Sequence, residues 1–147
     1  MTQLPLRRYG EDQLAESFAE YTETGVSPAI LMFDIDYLKE INDSYGHAVG
    51  DEVIDAVDQD VAESVRKEDL LYRWGGDEFI GIIIGLKRLH LDFFKNKLVV
   101  AVDKVEIEAN GNTIRPTVSI GISYFEKSDY SYHDAVRRAD EAMYQLK

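Results

Sequence analysis

Five segments of the chain have sequences typical of α-helices, and in the longer ones apolar residues recur every three or four positions. The predicted helices are residues 11–21, 37–45, 51–66, 91–103 and 131–147. Residues 46–50, between the second and third helices, contain two glycines and are predicted to form a turn. Ser131 and Asp134 have the spacing of a capping box, which predicts the start of the last helix.

Apolar runs bounded by turn residues predict the strands. The predicted strands are residues 29–33, 70–72, 79–84, 105–109, 113–115 and 117–125. The first is apolar throughout, which is typical of a strand buried on both faces. The second and third flank a glycine-bearing turn, and the fourth and fifth flank Asn110-Gly111-Asn112, so each pair is predicted to form a hairpin. This mixture of helices and hairpins predicts an α+β fold with a largely antiparallel sheet.

The turn of the first predicted hairpin contains two glycines followed by two acidic residues, Gly75, Gly76, Asp77 and Glu78. We expect the glycines to take positive φ and to let a bulky ligand approach the backbone. Two adjacent carboxylates repel each other unless a cation or a hydrogen-bond donor meets them. The turn therefore predicts a site for a divalent cation, and the alternative is a solvated turn.

A second acidic pair, Asp34 and Asp36, follows the first predicted strand and precedes a helix. Helix N-termini bind phosphates, and carboxylates beside them can hold the Mg²⁺ that accompanies those phosphates. Neither an EF-hand loop nor a Walker phosphate loop matches the sequence at this point. If the two acidic strand ends lie side by side, Asp34 and Asp77 could share a cation, as in two-metal nucleotidyl transfer. The alternative is that the two strand-end acids only cap a helix.

Composition narrows the class of protein. The 147 residues suggest one domain, and the absence of cysteine excludes disulfides and thiolate metal sites. The formal net charge of −12 argues against a non-specific nucleic-acid binder and against contact with an anionic membrane. An acidic protein can still bind a nucleoside triphosphate if a divalent cation lies between its carboxylates and the phosphates.

The sequence resembles the GGDEF family, the diguanylate cyclases. The matching segments are residues 2–8, 33–43, 46–51, 75–79, 119–121 and 138–144. Gln3 and Leu6 depart from the Gly and Asn that are usual in the family, and residues 85–112 show no recognisable motif. The resemblance implies a palm-like fold of the nucleotidyl cyclase or ferredoxin-like type, with a mostly antiparallel five-stranded sheet flanked by helices. It also implies that residues 1–147 form a single catalytic domain of a longer, multidomain bacterial signalling protein.

The implied activity is the condensation of two GTP molecules into cyclic di-GMP with release of two pyrophosphates. The resemblance implies that Mg²⁺ (or Mn²⁺) is held by Asp34, the Ile35 carbonyl, Asp77 and Glu78. It implies that Asp77, assisted by Glu78 and Lys39, carries the catalysis. The residues that it assigns to GTP binding are Tyr37, Leu38, Lys39, Asn42, Asp51 and Lys147.

Arg66 and Asp69 form an Arg-x-x-Asp motif before the acidic turn. By resemblance this motif is an inhibitory site for the product, where arginine binds phosphates and stacks on guanine. The alternative is an exposed ion pair at a helix end, which contributes little stability.

The resemblance also implies an oligomeric state and a cellular location. Because each domain holds one GTP, a homodimer is expected to be needed for catalysis. The domain is expected in the cytoplasm, as part of a sensor that could itself be attached to a membrane. One alternative is a catalytically silent GGDEF domain that acts as a receptor for GTP or cyclic di-GMP. Another is a cyclase that makes a mixed guanine–adenine product, which Asp51, as a partner suited to guanine, argues against.

Overall fold

The computed structural model describes residues 7–144, in which helices and strands are mixed along the chain. The elements are α1 (Arg7–Thr24), β1 (Ala29–Ile35), α2 (Leu38–Tyr45), α3 (His47–Ser64), β2 (Leu70–Arg73), β3 (Glu78–Ile83), a short 3-10 helix (Arg88–His90), α4 (Leu91–Asp103), β4 (Ile107–Ala109), β5 (Asn112–Ile114), β6 (Val118–Tyr124) and α5 (Tyr132–Tyr144). Within this part of the chain, no helix combines the length and apolar character that crossing a bilayer requires.

The main sheet has the strand order β2-β3-β1-β6, and every neighbouring pair is antiparallel. This confirms the predicted α+β fold with an antiparallel sheet. The predicted number of five strands is wrong for the described residues, because the main sheet contains four. The strands β4 and β5 have three residues each and pair only with each other, as a separate two-stranded sheet.

The core lies on both faces of the main sheet, and the central strand β1 is buried along its whole length. One face packs against α2, α3 and α4, and there the rings of Phe33 and Phe79 stack with their centroids 4.8 Å apart. The other face packs against α1 and α5. A Cβ atom on Gly121 would overlap the backbone of α5 at Ala139, so glycine lets α5 lie directly on β6. The continuous apolar run of β1 follows from this two-sided burial.

The junction between α2 and α3 differs from the prediction. Residues 46–50 do not form a turn, because α3 already begins at His47. Only Gly46 separates the two helices, and its φ of 91° is a conformation that residues with side chains rarely adopt. Asp51 therefore lies inside α3 and not at its start.

Two predictions of local structure are confirmed, a hairpin turn and the start of a helix. Asn110 and Gly111 both have positive φ, as a two-residue hairpin turn between β4 and β5 requires. At the start of α5, the Ser131 hydroxyl accepts a hydrogen bond from the His133 N–H at 3.2 Å. In return Asp134 accepts from the N–H groups of Tyr130 and Ser131, and these bonds hold the pKa of its carboxyl below the ordinary value.

Candidate active site

Asp34 lies near the end of β1, directly opposite Glu78 of β3 and Ser119 of β6. Residues that face each other across antiparallel strands have their side chains on the same face of the sheet. Asp34 is only 4% exposed. Two carboxylates in directly opposite positions are unfavourable unless a cation or a donor compensates their charge.

A cavity of about 320 Å³ opens beside Asp34, between the end of β1, the start of α2 and the acidic turn. Its lining residues are Asp34, Ile35, Asp36, Tyr37, Leu38, Lys39, Glu40, Asp77 and Ser119. The fold thus brings together most of the residues proposed for metal and phosphate binding. Glu78 does not line this cavity, and neither do Asn42 and Asp51. Lys147 lies outside the described residues.

Asp36 is engaged in a local hydrogen-bond network. Its two carboxylate oxygens accept hydrogen bonds from the Ser119 hydroxyl at 2.7 Å and the Thr117 hydroxyl at 2.8 Å. The Asp36 N–H donates to the Thr117 carbonyl at 2.9 Å. Asp36 therefore ties the end of β1 to β6. The sequence did not single out Thr117 or the role of Ser119, because their partner is distant along the chain.

Tyr37 has left-handed backbone dihedrals, φ 60° and ψ 24°, and forms the boundary between β1 and α2. Such a conformation is uncommon for a bulky residue and costs about 1–3 kcal/mol. It turns the chain so that α2 begins at Leu38, on the wall of the cavity. The first N–H groups of a helix have no partner within the helix, so this wall suits an anion. The side chain of Tyr37 is 74% exposed.

The acidic turn is closed by hydrogen bonds to its own backbone. The N–H groups of Trp74 and Gly75 donate to the Glu78 carbonyl at 2.8 and 3.2 Å. The Arg73 guanidinium donates to the Gly76 carbonyl at 2.6 Å. The Ile35 N–H donates to the Asp77 carbonyl at 3.3 Å, which joins the turn to β1.

Gly75 and Gly76 do not have the positive φ that the sequence suggested, so that expectation is wrong. The turn closes through the Glu78 carbonyl and the Arg73 side chain without a left-handed residue. A Cβ atom on Gly76 would meet no protein atom within 4 Å. The protein's own packing therefore does not require glycine there, and close approach of a ligand stays a prediction.

Asn42 and Asp51 are brought together at the α2–α3 junction. A Cβ atom on Gly50 would overlap the Asn42 side-chain oxygen, so the Asn42 amide rests on the backbone of Gly50. Asp51 follows Gly50 and is exposed. The fold thus places the Asn42 amide against the residue that precedes Asp51 in α3, beyond the residues of α2 that line the cavity.

The family model described as diguanylate cyclase, GGDEF domain, matches residues 1–147. This chain belongs to the GGDEF family. Diguanylate cyclase A of Treponema denticola is 34% identical over 150 residues, which take in all of this chain and 40% of that protein. Diguanylate cyclase DosC of Escherichia coli K12 is 33% identical over 148 residues, or 32% of its length. This GGDEF domain thus spans well under half of these curated relatives.

Solved structures show the same fold. The GGDEF domain of DgcB from Caulobacter crescentus, in complex with c-di-GMP, matches with a TM-score of 0.90 and 28% identity, covering 98% of this chain and 85% of that one. Diguanylate cyclase SiaD of Pseudomonas aeruginosa, in complex with its activator SiaC, matches with a TM-score of 0.89 and 27% identity, covering 97% of this chain and 54% of that one.

The Arg-x-x-Asp motif of this GGDEF domain lies at the other end of β3 from the acidic turn. The Asp69 carboxylate accepts hydrogen bonds from the Arg66 N–H at 2.9 Å and the Ile84 N–H at 2.8 Å. The Arg66 guanidinium donates to the Ile84 carbonyl. The Asp69 side chain is 1% exposed and that of Arg66 is 58% exposed. Asp69 is therefore a buried acceptor that holds the turn, and the pair is more than an exposed ion pair.

A cavity of about 200 Å³ adjoins this motif, with Phe94 and Lys97 of α4 on its wall. Lys97 lies in residues 85–112, which contain no recognisable motif. The sequence does show that Lys97 comes three residues after Phe94, a spacing that places both side chains on one face of α4. The six residues of β3 rise about 3.4 Å each, so this cavity is about 20 Å from the acidic turn.

The GGDEF domain also contains a buried acid that the sequence analysis did not identify, Asp58 of α3. It is 5% exposed, and its Oδ1 atom has no hydrogen-bond partner among the described residues. Burial raises the pKa of Asp58, the Arg73 guanidinium opposes that shift and the neighbouring Asp55 carboxylate adds to it, and together they bring the pKa to about 7. Asp58 therefore lies near the arginine that binds the acidic turn.

The carboxylates of the cavity suit a cation that is shared with a nucleotide. Among residues 7–144, no group of three or more acidic or histidine side chains is arranged to hold a metal ion by itself. Mg²⁺, however, commonly binds through one or two carboxylates together with phosphate oxygens and water. Asp34 and Asp77 supply such hard oxygen ligands on one cavity wall.

Proposed function

We propose that this GGDEF domain condenses two GTP molecules into cyclic di-GMP and releases two pyrophosphates. The observation that carries the proposal is the presence of Asp34, Asp77 and Lys39 on one cavity at the start of α2. The curated relatives, named diguanylate cyclases, support it. The activity is located in the cytoplasm, as part of a bacterial signalling protein.

Asp34, the Ile35 carbonyl, Asp77 and Glu78 would hold Mg²⁺ or Mn²⁺ together with the triphosphate. When bound, the ion supplies positive charge that stabilises the phosphates as their negative charge redistributes. Asp77 accepts the proton of the attacking 3′-hydroxyl. The 3′-oxygen then forms a bond to the α-phosphorus of a second GTP, and the bond from that phosphorus to pyrophosphate breaks.

The remaining cavity residues orient the triphosphate. The N–H groups of Tyr37 and Leu38 bind the terminal phosphates, because the start of a helix favours anions. Lys39 neutralises phosphate charge, and Lys147 does the same.

Asn42 and Asp51 read the base. A carboxylate accepts hydrogen bonds from N1–H and N2–H₂ of guanine, and adenine offers neither donor in that arrangement. The contact of Asn42 with Gly50 supports this assignment, because Gly50 is the residue that precedes Asp51 in the chain.

Two domains must meet for each product molecule. One domain holds one triphosphate at one cavity, so the attacking hydroxyl comes from a GTP on a second domain. A homodimer with facing cavities is therefore the active form.

Arg66 and Asp69 form a separate inhibitory site for cyclic di-GMP. The guanidinium is exposed while Asp69 holds the turn, and Lys97 adds positive charge on the same cavity. Arginine binds phosphate in a bidentate manner and stacks on bases, which suits a cyclic dinucleotide.

The direct test is a product assay. Purified protein, fused to a leucine zipper so that domains pair, is incubated with GTP and Mg²⁺ and analysed for cyclic di-GMP and pyrophosphate. Matched reactions contain EDTA, or ATP in place of GTP. Product that needs both GTP and Mg²⁺ supports the cyclase. Tight GTP or cyclic di-GMP binding without product would instead favour a catalytically silent receptor.

A further inference from the structure

Arg7, in the first turn of α1, contacts the residue that opens the acidic turn. Its Nη1 atom donates a hydrogen bond to the Trp74 carbonyl at 3.0 Å. Its guanidinium also lies over the Trp74 ring, with Cζ 3.9 Å from the ring centroid. Glu11, one helical turn later, accepts a hydrogen bond from Arg7 Nε at 2.9 Å and so orients the guanidinium. Arg7 thus contacts both the backbone and the side chain of one residue.

The acidic turn is bound at several carbonyl groups along its length. Arg7 donates to the Trp74 carbonyl, Arg73 to the Gly76 carbonyl, and the Ile35 N–H to the Asp77 carbonyl. Two of these three donors belong to strands of the main sheet, β2 and β1. The third, Arg7, belongs to α1 and reaches the turn from outside the sheet. It reaches the turn three residues before Asp77.

The docking of α1 on the sheet does not depend on Arg7. Leu14 is fully buried, and a Cβ atom on Gly10 would overlap the ring of Tyr72, so α1 is held closely against β2 by apolar contacts. The Arg7 side chain is 53% exposed and makes its described contacts only with Glu11 and Trp74. Its geometry therefore fits a contact with the turn better than an anchor for the helix.

We propose that Arg7 is a positioning residue that couples α1 to the acidic turn and so sets the placement of Asp77 at the cavity. The inference rests on the proposed cyclase function for its catalytic consequence. A movement of α1 relative to the sheet would be transmitted through Trp74 to the turn. Because misplacement of a reacting group by about 1 Å can cost about 100-fold in rate, even a small displacement of Asp77 would lower turnover.

Trp74 is the single tryptophan of the chain, so its fluorescence reports the contact directly. The test compares the parent with Arg7→Gln, Arg7→Lys and the matched control Arg8→Gln, all in the full chain fused to a leucine zipper. Arg8 is exposed, and its side chain makes no hydrogen bond or ion pair with another described residue. Emission maximum, acrylamide quenching, thermal stability, kcat and KM for GTP are measured for each.

Arg7→Gln is expected to shift Trp74 emission to longer wavelength and to increase quenching by acrylamide, because loss of the guanidinium exposes the indole ring to water. Its kcat should fall about 10-fold while KM for GTP changes less than about twofold, since Asn42 and Asp51 are untouched. Arg7→Lys should be intermediate, because lysine can bond to the carbonyl but lacks the planar group that stacks. Arg8→Gln should match the parent. Unchanged emission in Arg7→Gln, or changed emission with unchanged kcat, would overturn the proposal.

Two further measurements keep the test decisive. If Arg7→Gln fails to fold, Glu11→Gln replaces it, because it loosens the guanidinium and should produce smaller changes in the same direction.

If the parent itself makes no product, the proposed function fails but the coupling is still tested by titrating Mg²⁺ in the presence of GTP while following Trp74 emission. The coupling requires that Arg7→Gln needs about threefold more Mg²⁺ than the parent to reach half of the emission change. Equal midpoints would overturn it.

Discussion

Asp34 of β1 and Glu78 of β3 occupy directly opposite positions in the antiparallel sheet, so two carboxylates share one face of it, and Asp34 also lines the cavity. Asp77, the neighbour of Glu78, lines the cavity with Asp34. In the absence of a cation this arrangement concentrates negative charge at one strand end.

Asp77→Asn is expected to abolish cyclic di-GMP formation while the domain stays folded. A neutral amide neither holds the cation well nor accepts the proton of the 3′-hydroxyl. Product formation and circular dichroism are measured together, with Asp43→Asn, an exposed acid of α2, as the matched control. Full activity in a folded Asp77→Asn variant would contradict the assignment of the metal site.

Gly50→Ala is expected to reduce the preference for GTP over ATP. The added methyl group would overlap the Asn42 side-chain oxygen and displace the amide from the backbone of Gly50, the residue before Asp51. The parent should prefer GTP by at least about 10-fold, as one good hydrogen-bonding pair provides, and the variant should lose most of that preference. Calorimetry with Mg²⁺ and each nucleotide measures this, with Glu52→Gln on the same helix as control. An unchanged preference would show that Asn42 does not read the base.

Arg66→Ala is expected to weaken cyclic di-GMP binding about 10-fold or more and to leave GTP binding unchanged, because the two cavities lie at opposite ends of β3. Asp69→Ala should behave differently. It removes a buried acceptor of two N–H groups and should lower the free energy of unfolding by about 1–3 kcal/mol.

The matched control for the product site is Arg115→Ala, which removes an exposed arginine that pairs with Glu106 at 3.1 Å. Calorimetry measures the binding of product and of GTP, and urea unfolding measures stability. If Arg66→Ala binds cyclic di-GMP as tightly as the parent, the motif has only a structural role.

Asp58→Asn is expected to change how stability depends on pH. Burial raises the pKa of Asp58 to about 7 in the folded protein, whereas the unfolded chain has an ordinary value. The folded state therefore holds the proton more tightly, so the stability from this group is present at low pH and is lost as pH rises through about 7. Relative to the variant, the parent should lose ~2–4 kcal/mol of unfolding free energy between about pH 4 and pH 8. Parallel stability profiles from urea unfolding would contradict this.

The last prediction concerns assembly. The unfused domain is expected to be mostly monomeric, with activity that rises more than linearly with protein concentration, because two domains of net charge −12 repel each other. A leucine zipper fused ahead of Met1 should raise the specific rate by raising the effective concentration. A zipper with prolines in its heptads serves as the control. Specific activity that is independent of concentration well below the dimer dissociation constant would contradict the need for two domains.

Much of the fold and of the cavity could be predicted from local pattern. The predicted helix 91–103 coincides with α4, and Asn110-Gly111 forms the expected turn, because each depends on neighbouring residues alone. The antiparallel arrangement followed from the hairpins. The separation of β4 and β5 from the main sheet did not, since pairing between distant strands has no local signal in the sequence.

The sequence by itself determined the family, and it predicted the acidic residues of the candidate site and the approach of Asp34 and Asp77, which line one cavity. Only the tertiary structure decided how those residues are held. Tyr37 takes left-handed dihedrals, Asp36 accepts hydrogen bonds from hydroxyls at the start of β6 and just before it, and Asp58 is buried near Arg73. Each of these depends on groups brought together from distant parts of the chain. The identity of one residue does not specify its distant partner, because the contact forms only when packing brings the two segments together.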